Sequence, residues 1–318
     1  MGSSGVRVGV GAVALLAFVA CAGQSATPPP AQPYTSFEPV EVKVKSDPDW
    51  LASGFGSIWL KRPEGFVDRI DASTATVATE IQVHDTSAQP CEGIGAGASA
   101  VWACDSGDLV PIDPRTGVAA EPIAAGKIAV QGRLVSSGGR IWVLTGAGDS
   151  LVGIDEVTGT PGRPIALPAA CNDLGATGDV VYVVCEAADR VVRVETTSGA
   201  VTAEAQIDAP TWVSAADSGV WVTAGNDLLR IDPVSLKTSV TVPGMGTGQL
   251  GSIWADGAGV WVRKLDPFLS RVRPDGSIDR IISAPFQTGG DVIGTGGDVW
   301  VTAIDERLVI RLRMPAES

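Results

Sequence analysis

The chain has 318 residues, 45% of them apolar and 19% charged, with a mean hydropathy of +0.22, which excludes a disordered protein and allows a large core. Its 39 glycines and 21 prolines interrupt every apolar stretch before a 3.6-residue period is sustained, which argues against a helical or α/β protein and for an all-β one rich in turns. A net charge of -13 repels phosphate backbones, so nucleic acid is not an expected partner, and a single histidine, His84, removes most histidine-based metal sites and acid–base machinery.

Arg7 precedes an apolar run, Val8 to Ala20, that is too short for a permanent membrane span and reads as a signal peptide over residues 1–20. The run ends Phe18-Val19-Ala20-Cys21, which resembles the bacterial lipobox, with Phe18 where leucine is usual. That resemblance implies cleavage before Cys21, a diacylglycerol on that cysteine, and a place on the exported side of a membrane in a bacterial cell envelope. Simple secretion and an uncleaved anchor are the alternatives. Myristoylation does not fit, because Val6 stands where Ser or Thr is needed. Residues 21–36, with Pro28-Pro29-Pro30, read as an extended, disordered tether, and the folded domain is expected over 37–318.

The segment Val40 to Lys45 alternates apolar and charged residues and reads as a strand. After it an aromatic residue, preceded by Ile or Val, recurs at Trp59, Trp102, Trp142, Tyr182, Trp221, Trp261 and Trp300, at intervals of 39 to 43 residues. Repeats of about forty residues cannot bury their apolar faces alone and signal a propeller or a solenoid. Each unit reads as four strands. The first carries an apolar residue eight before the aromatic one (Leu51, Ile94, Leu134, Leu174, Val213, Ile253, Val292), and the second carries the aromatic residue itself. The third strands are Val67 to Ile70, Leu109 to Ile112, Leu151 to Ile154, Val191 to Val194, Leu228 to Ile231, Phe268 to Val272 and Leu308 to Leu312. Turns such as Asp113-Pro114-Arg115-Thr116-Gly117 lead to fourth strands such as Val77 to Val83 and Val201 to Ile207.

Only 18 residues follow Trp300, too few for a fourth strand in the last unit, while one strand is surplus at the start. The two pair: the expected fold is an all-β, seven-bladed β-propeller of four-stranded blades, its ring closed by an N-terminal strand that completes the last blade. A solenoid would leave both edges open. Segments such as Gly219-Val220-Trp221-Val222 and Leu229-Arg230-Ile231-Asp232-Pro233 resemble the bacterial YncE/YVTN-type seven-bladed propellers and their relative virginiamycin B lyase, across essentially residues 40 to 314. The lyase family relies on a catalytic histidine and a magnesium-binding acid. His84 falls after the fourth strand of the first blade and does not match that pattern, and a quinone-cofactor dehydrogenase would need eight blades.

Residues that recur in most blades read as scaffold: the aromatic set, and the carboxylates Asp108, Asp149, Asp189, Asp227, Asp266 and Asp305, read as turn caps rather than a ring of metal ligands. Nine residues before the aromatic the blades differ, reading Trp50, Gly93, Arg133, Asp173, Trp212, Ser252 and Asp291. Innermost strands begin there, so Trp50, Arg133, Asp173, Trp212 and Asp291 are the candidate ligand site, expected to rim one channel mouth with spaced aromatic faces and both charge signs, suited to a neutral or zwitterionic ligand such as a sugar or small peptide. Cys91 and Cys171 lie eleven before their aromatic residues, and Cys104 and Cys185 lie two and three after theirs. Antiparallel pairing then predicts disulfides Cys91–Cys104 and Cys171–Cys185, with free thiols the alternative and no zinc spacing in view. The sequence reading is a monomeric, non-catalytic binding module without cofactor or metal, meeting a membrane through lipid on Cys21 and an unknown protein or small polar ligand. A lyase of the virginiamycin B type is the alternative.

Overall fold

The computed structural model describes residues 1–2, 27–83, 91–105, 107–129 and 133–315. The signal peptide beyond residue 2, Cys21 and His84 lie outside the described residues.

Seven sheets radiate as blades. The first holds Leu51–Gly54, Ser57–Arg62, Phe66–Asp71 and Thr76–Gln82, from the axis outward. The pattern repeats to the sixth, Ser252–Asp256, Gly259–Arg263, Leu269–Val272 and Ile278–Ser283. The seventh joins Val292–Thr295, Asp298–Ala303 and Leu308–Arg313 to Val40–Lys43, whose residues Val40, Glu41, Val42 and Lys43 pair antiparallel with Arg311, Ile310, Val309 and Leu308. Ring closure by the N-terminal strand is therefore observed, and Val42 is buried in it.

The expectation of a tether running to residue 36 is corrected. Gln32–Pro33 adds a parallel fifth strand to the outer edge of the sixth blade, opposite Ile282 and Ser283. Proline is tolerated there because an outermost strand needs only one bonded side. A 3₁₀ turn, Tyr34–Phe37, then buries Phe37 and sets Tyr34 edge-on to Phe286 at 5.4 Å.

Local chemistry makes the strands and turns. In the third blade Gly138 (φ +59°) and Gly139 (φ +72°) form the two-residue loop between paired Ser137 and Arg140, a turn that needs positive φ at both positions. The aspartates that end the third strands accept N–H groups two and three residues on, as Asp113 does from Arg115 and Thr116 and Asp232 from Val234 and Ser235. In the first blade the bonds from Ser73 and Thr74 hold Asp71 down at about 2. Two of the recurrent carboxylates before the third strands act across a longer gap: Asp189 accepts from Ala209 N and Asp227 from Gly244 N, each beyond its own blade's outer strand.

The core lies between blades. Trp102 packs with Leu134 and Ile141 of the next blade, Trp142 with Leu174 and Val181, Tyr182 with Val213 and Val220, and Trp300 with Leu51 and Ile58 of the first. Each blade thus covers its neighbour, and the last covers the first. Directly across from the aromatic residue stands an arginine in five blades, Arg69, Arg193, Arg230, Arg271 and Arg311. The guanidinium lies over the ring for Arg69–Trp59 at 5.4 Å and Arg271–Trp261 at 5.1 Å. In the third blade that place is Gly153, where an added Cβ would come within 2.9 Å of the Trp142 ring.

Candidate functional site

The innermost strands bring Trp50, Arg133, Asp173, Trp212 and Asp291 together at the axis, but as a packed plug and not an open rim. Trp50 and Trp212 are 7% and 3% exposed and meet edge to face at 5.3 Å, so the expected gap between aromatic faces is absent. Arg133 lies 5.2 Å from the Trp50 ring, and its Nη2 donates to Asp291 Oδ1 at 3.0 Å while Nη1 donates to Ile253 O at 2.9 Å.

The carboxylates also stitch blades. Asp173 Oδ2 accepts the N–H of Val213 at 2.8 Å, Ser252 Oγ that of Val292 at 3.0 Å, and Asp291 Oδ2 that of Leu51 at 3.0 Å. In each case the polar side chain at the start of one innermost strand accepts the backbone N–H of the residue one position further along in the next blade's innermost strand. Asp173 is fully buried; loss of solvent pushes it up to about 6, opposed by Arg133 and the Val213 amide. Arg133 Nε and Asp173 Oδ1 face each other at 3.8 Å, and neither has a hydrogen-bond partner.

The plug divides the axis into two spaces. On one side is a blind well of about 220 Å³, with Arg133 and Asp291 at its floor and Ser53, Ala96, Ala176 and Ser214 in its wall. On the other is a cleft of only about 70 Å³ beside Asp49, Trp50, Trp212 and Gly290. Asp49 is pushed up to about 8, first by burial and then by the neighbouring Glu92. Close by, burial brings Lys61 down to about 8 against the opposing pull of Asp105 and Glu92.

Sequence reasoning missed Lys61 and Arg263, although a signal was present: two residues after the aromatic, other blades carry Cys104, Leu144, Val184, Thr223 and Thr302. Arg263 is fully buried and spends its guanidinium on carbonyls, among them Thr288 O at 2.9 Å and Thr302 O at 3.2 Å. The threonines at that position accept N–H groups from the plug, Thr223 from Trp212 at 3.0 Å and Thr302 from Asp291 at 2.7 Å.

Both expected disulfides are present, Cys91–Cys104 and Cys171–Cys185. Each links the entry of an innermost strand to the second strand of the same blade. Such bonds fit an oxidising, extracytoplasmic compartment. Among the described residues no helix is long and apolar enough to cross a membrane, and no group of three or more His, Cys, Asp or Glu side chains is placed to hold a metal ion.

Fold and site together define a seven-bladed β-propeller with two stapled blades and a plugged axis. No family model matches the chain, and no curated protein matches its sequence. Similar solved structures include the β-propeller domain of Cps50 (Swd1) from Myceliophteria thermophila, at a TM-score of 0.68 and 11% identity over 87% of this chain and 100% of that one. The WD40 domain of Neurospora crassa Pan2 is similar at 0.70 and 10% identity, over 86% and 91% of the two chains. BamB from Moraxella catarrhalis is similar at 0.60 and 11% identity, over 86% and 84%. At these identities the likeness concerns the fold.

Proposed function

We propose that this chain is a monomeric, non-catalytic binding module on the exported side of a bacterial membrane, held there by lipid on Cys21. The observation that carries the binding reading is the well: a guanidinium and a carboxylate line it together, beside Ser53, Ser214 and the backbone of the innermost strands. A cavity of about 220 Å³ lies below the ~300–1,000 Å³ of drug-sized pockets, which suits one small zwitterionic or neutral polar group, such as the end of a peptide or a single sugar. In this reading Arg133 and Asp291 meet the ligand. Trp50, Trp212 and Asp173 position Arg133 from behind.

Native mass spectrometry of the full chain, purified from its own envelope without denaturation, tests the reading. A small molecule retained by the wild type and lost from Arg133→Gln supports it. Loss of no mass, with the well empty in both proteins, overturns it. Membrane fractionation of Cys21→Ala tests the anchor: release into the soluble fraction or arrested maturation is expected, and unchanged membrane association at the mature size refutes it.

A further inference from the structure

A second cavity, larger than the well, opens between the sixth and seventh blades. It measures about 520 Å³ and runs from Trp254 on the innermost strand of the sixth blade to Asp279 and Arg280 on the outermost, with Met314 and Pro315 along the far wall. Crossing from innermost to outermost strand takes three inter-strand steps of ~4.8 Å, roughly 14 Å. At ~3.3 Å per residue that length accommodates about four residues of extended chain.

Its lining is unequally satisfied. Arg271 is 4% exposed at its side chain, stacks on Trp261 at 5.1 Å and pairs through Nη2 with Asp256, yet its Nη1 is buried without a hydrogen-bond partner. Arg280 lies over Phe37 at 5.6 Å and directs Nη1 to the thioether of Met314 at 3.3 Å, a weak acceptor. The carboxylates of the lining are already engaged: Asp256 with Arg271, Asp279 with Arg273, and Asp298 with Arg311 at 3.7 Å. One buried donor, Arg271 Nη1, is therefore left over, and it belongs to the guanidinium stacked on the Trp261 ring.

Three glycines line the groove. Gly257, Gly296 and Gly297 form hairpin tips between the first two strands of the two blades, and a Cβ placed on any of them would meet nothing within 4 Å. Backbone there is open to a ligand's own backbone. Three nearby aspartates and the chain's net charge of -13 disfavour a doubly charged group such as phosphate, so a single carboxylate is the better match.

We propose that this inter-blade groove binds an extended peptide segment through one carboxylate, which Arg271 and Arg280 receive while Trp254 and Trp261 hold the neighbouring apolar side chains. The groove shares the Trp254 ring with the wall of the axial well, but its arginines, Arg271 and Arg280, do not line the well. A peptide carboxylate has two sources, an acidic side chain or a chain end.

Fluorescence anisotropy of labelled pentapeptides against the full chain separates them. The probes are capped Val-Val-Glu-Val-Val, its Gln counterpart, and Val-Val-Val-Val-Val with a free C-terminus. Binding of the Glu probe over the Gln probe by at least about tenfold assigns an acidic side chain, and binding of the free-ended probe alone assigns a chain end. Arg280→Gln, on a half-buried side chain, is expected to weaken the bound probe several-fold and Arg271→Gln more; a probe whose binding falls with Arg133→Gln and not with Arg280→Gln occupies the axial well and overturns the proposal. The proposal is overturned if no probe binds at about 1 mM, if Glu and Gln probes bind equally and the free end adds nothing, or if Arg280→Gln retains both full affinity and the wild-type melting temperature.

Discussion

Asp291 of the seventh blade accepts the backbone N–H of Leu51 of the first blade at 3.0 Å, across 240 positions of sequence. The same carboxylate takes Ser252 Oγ at 2.6 Å from the sixth blade and Arg133 Nη2 at 3.0 Å from the third. One buried side chain thus ties four blades at the point where the ring closes. Asp291→Ala would leave the Leu51 amide and a largely buried guanidinium without their acceptor, and a loss of about 3–5 kcal/mol is expected. Asp173→Ala, which frees the Val213 amide, should cost about 1–3 kcal/mol. Denaturant unfolding of both variants checks this. Rim residues would leave stability unchanged, so unaltered midpoints would restore the open-rim reading that the burial of these residues contradicts.

N-terminal truncations should lose stability in steps. Removal through Ala31 leaves every described strand intact. Removal through Phe37 takes the short parallel strand at Gln32–Pro33 and the buried Phe37 ring, a loss of about 2–3 kcal/mol by burial of one large side chain. Removal through Ser46 also deletes Val40–Lys43 and exposes the edge of Leu308–Arg313, which should lower the melting temperature sharply or cause aggregation. Calorimetry of the three truncations checks the order; equal melting temperatures for the last two would mean that the closing strand contributes nothing.

The disulfides close loops with sequence separations of 13 and 14 residues. For loops of this size the chain-entropy argument gives at most about 3 kcal/mol each. Replacing Cys171 and Cys185 together by serine should therefore lower stability without unfolding the ring, as should the pair Cys91 and Cys104. Peptide mapping without reduction is expected to recover Cys91 joined to Cys104 and Cys171 joined to Cys185. Links between the two blades would contradict the fold.

Stability should depend on pH with an unusual sign. Asp49 and Asp173 keep their protons to about 8 and about 6 in the folded state, above the ordinary carboxylate value near 3.8. Between that value and their own, the folded protein binds more protons than the unfolded chain, so stability falls as pH rises. Turn aspartates act oppositely: Asp71, held at about 2, contributes stability that is present above the unfolded value and lost on acidification. Lys61, lowered to about 8 from 10.5, carries a penalty that is relieved as pH rises through that window. Thermal melts should peak on the acidic side of neutrality and decline toward pH 8, and Asp49→Asn should flatten the decline. A wild-type melting temperature that climbs steadily from pH 5 to pH 8 would refute the assignment.

What the chain declares by itself is what repeats. Seven aromatic residues at intervals of 39 to 43, each in a strand that must be covered, require a stack of units, and a surplus strand before the first with none left for the last requires a ring. Cysteine pairing followed from the same register, because antiparallel neighbours in one hairpin are set by counting. The channel position was legible only as a place where blades differ, and its side chains were misjudged as exposed. Whether a side chain at the head of an innermost strand faces water or its six counterparts depends on the ring's radius and on which residues meet across it, and neither is written in any one repeat. Trp50 touches Trp212 and Arg133 touches Asp291 because the ring brings the first, third, fifth and seventh blades to one axis. The groove between Trp254 and Arg280 likewise exists only between blades. Its unpaired Arg271 nitrogen looks in sequence like any other of the arginines that face the aromatic set, and only packing leaves it without a partner.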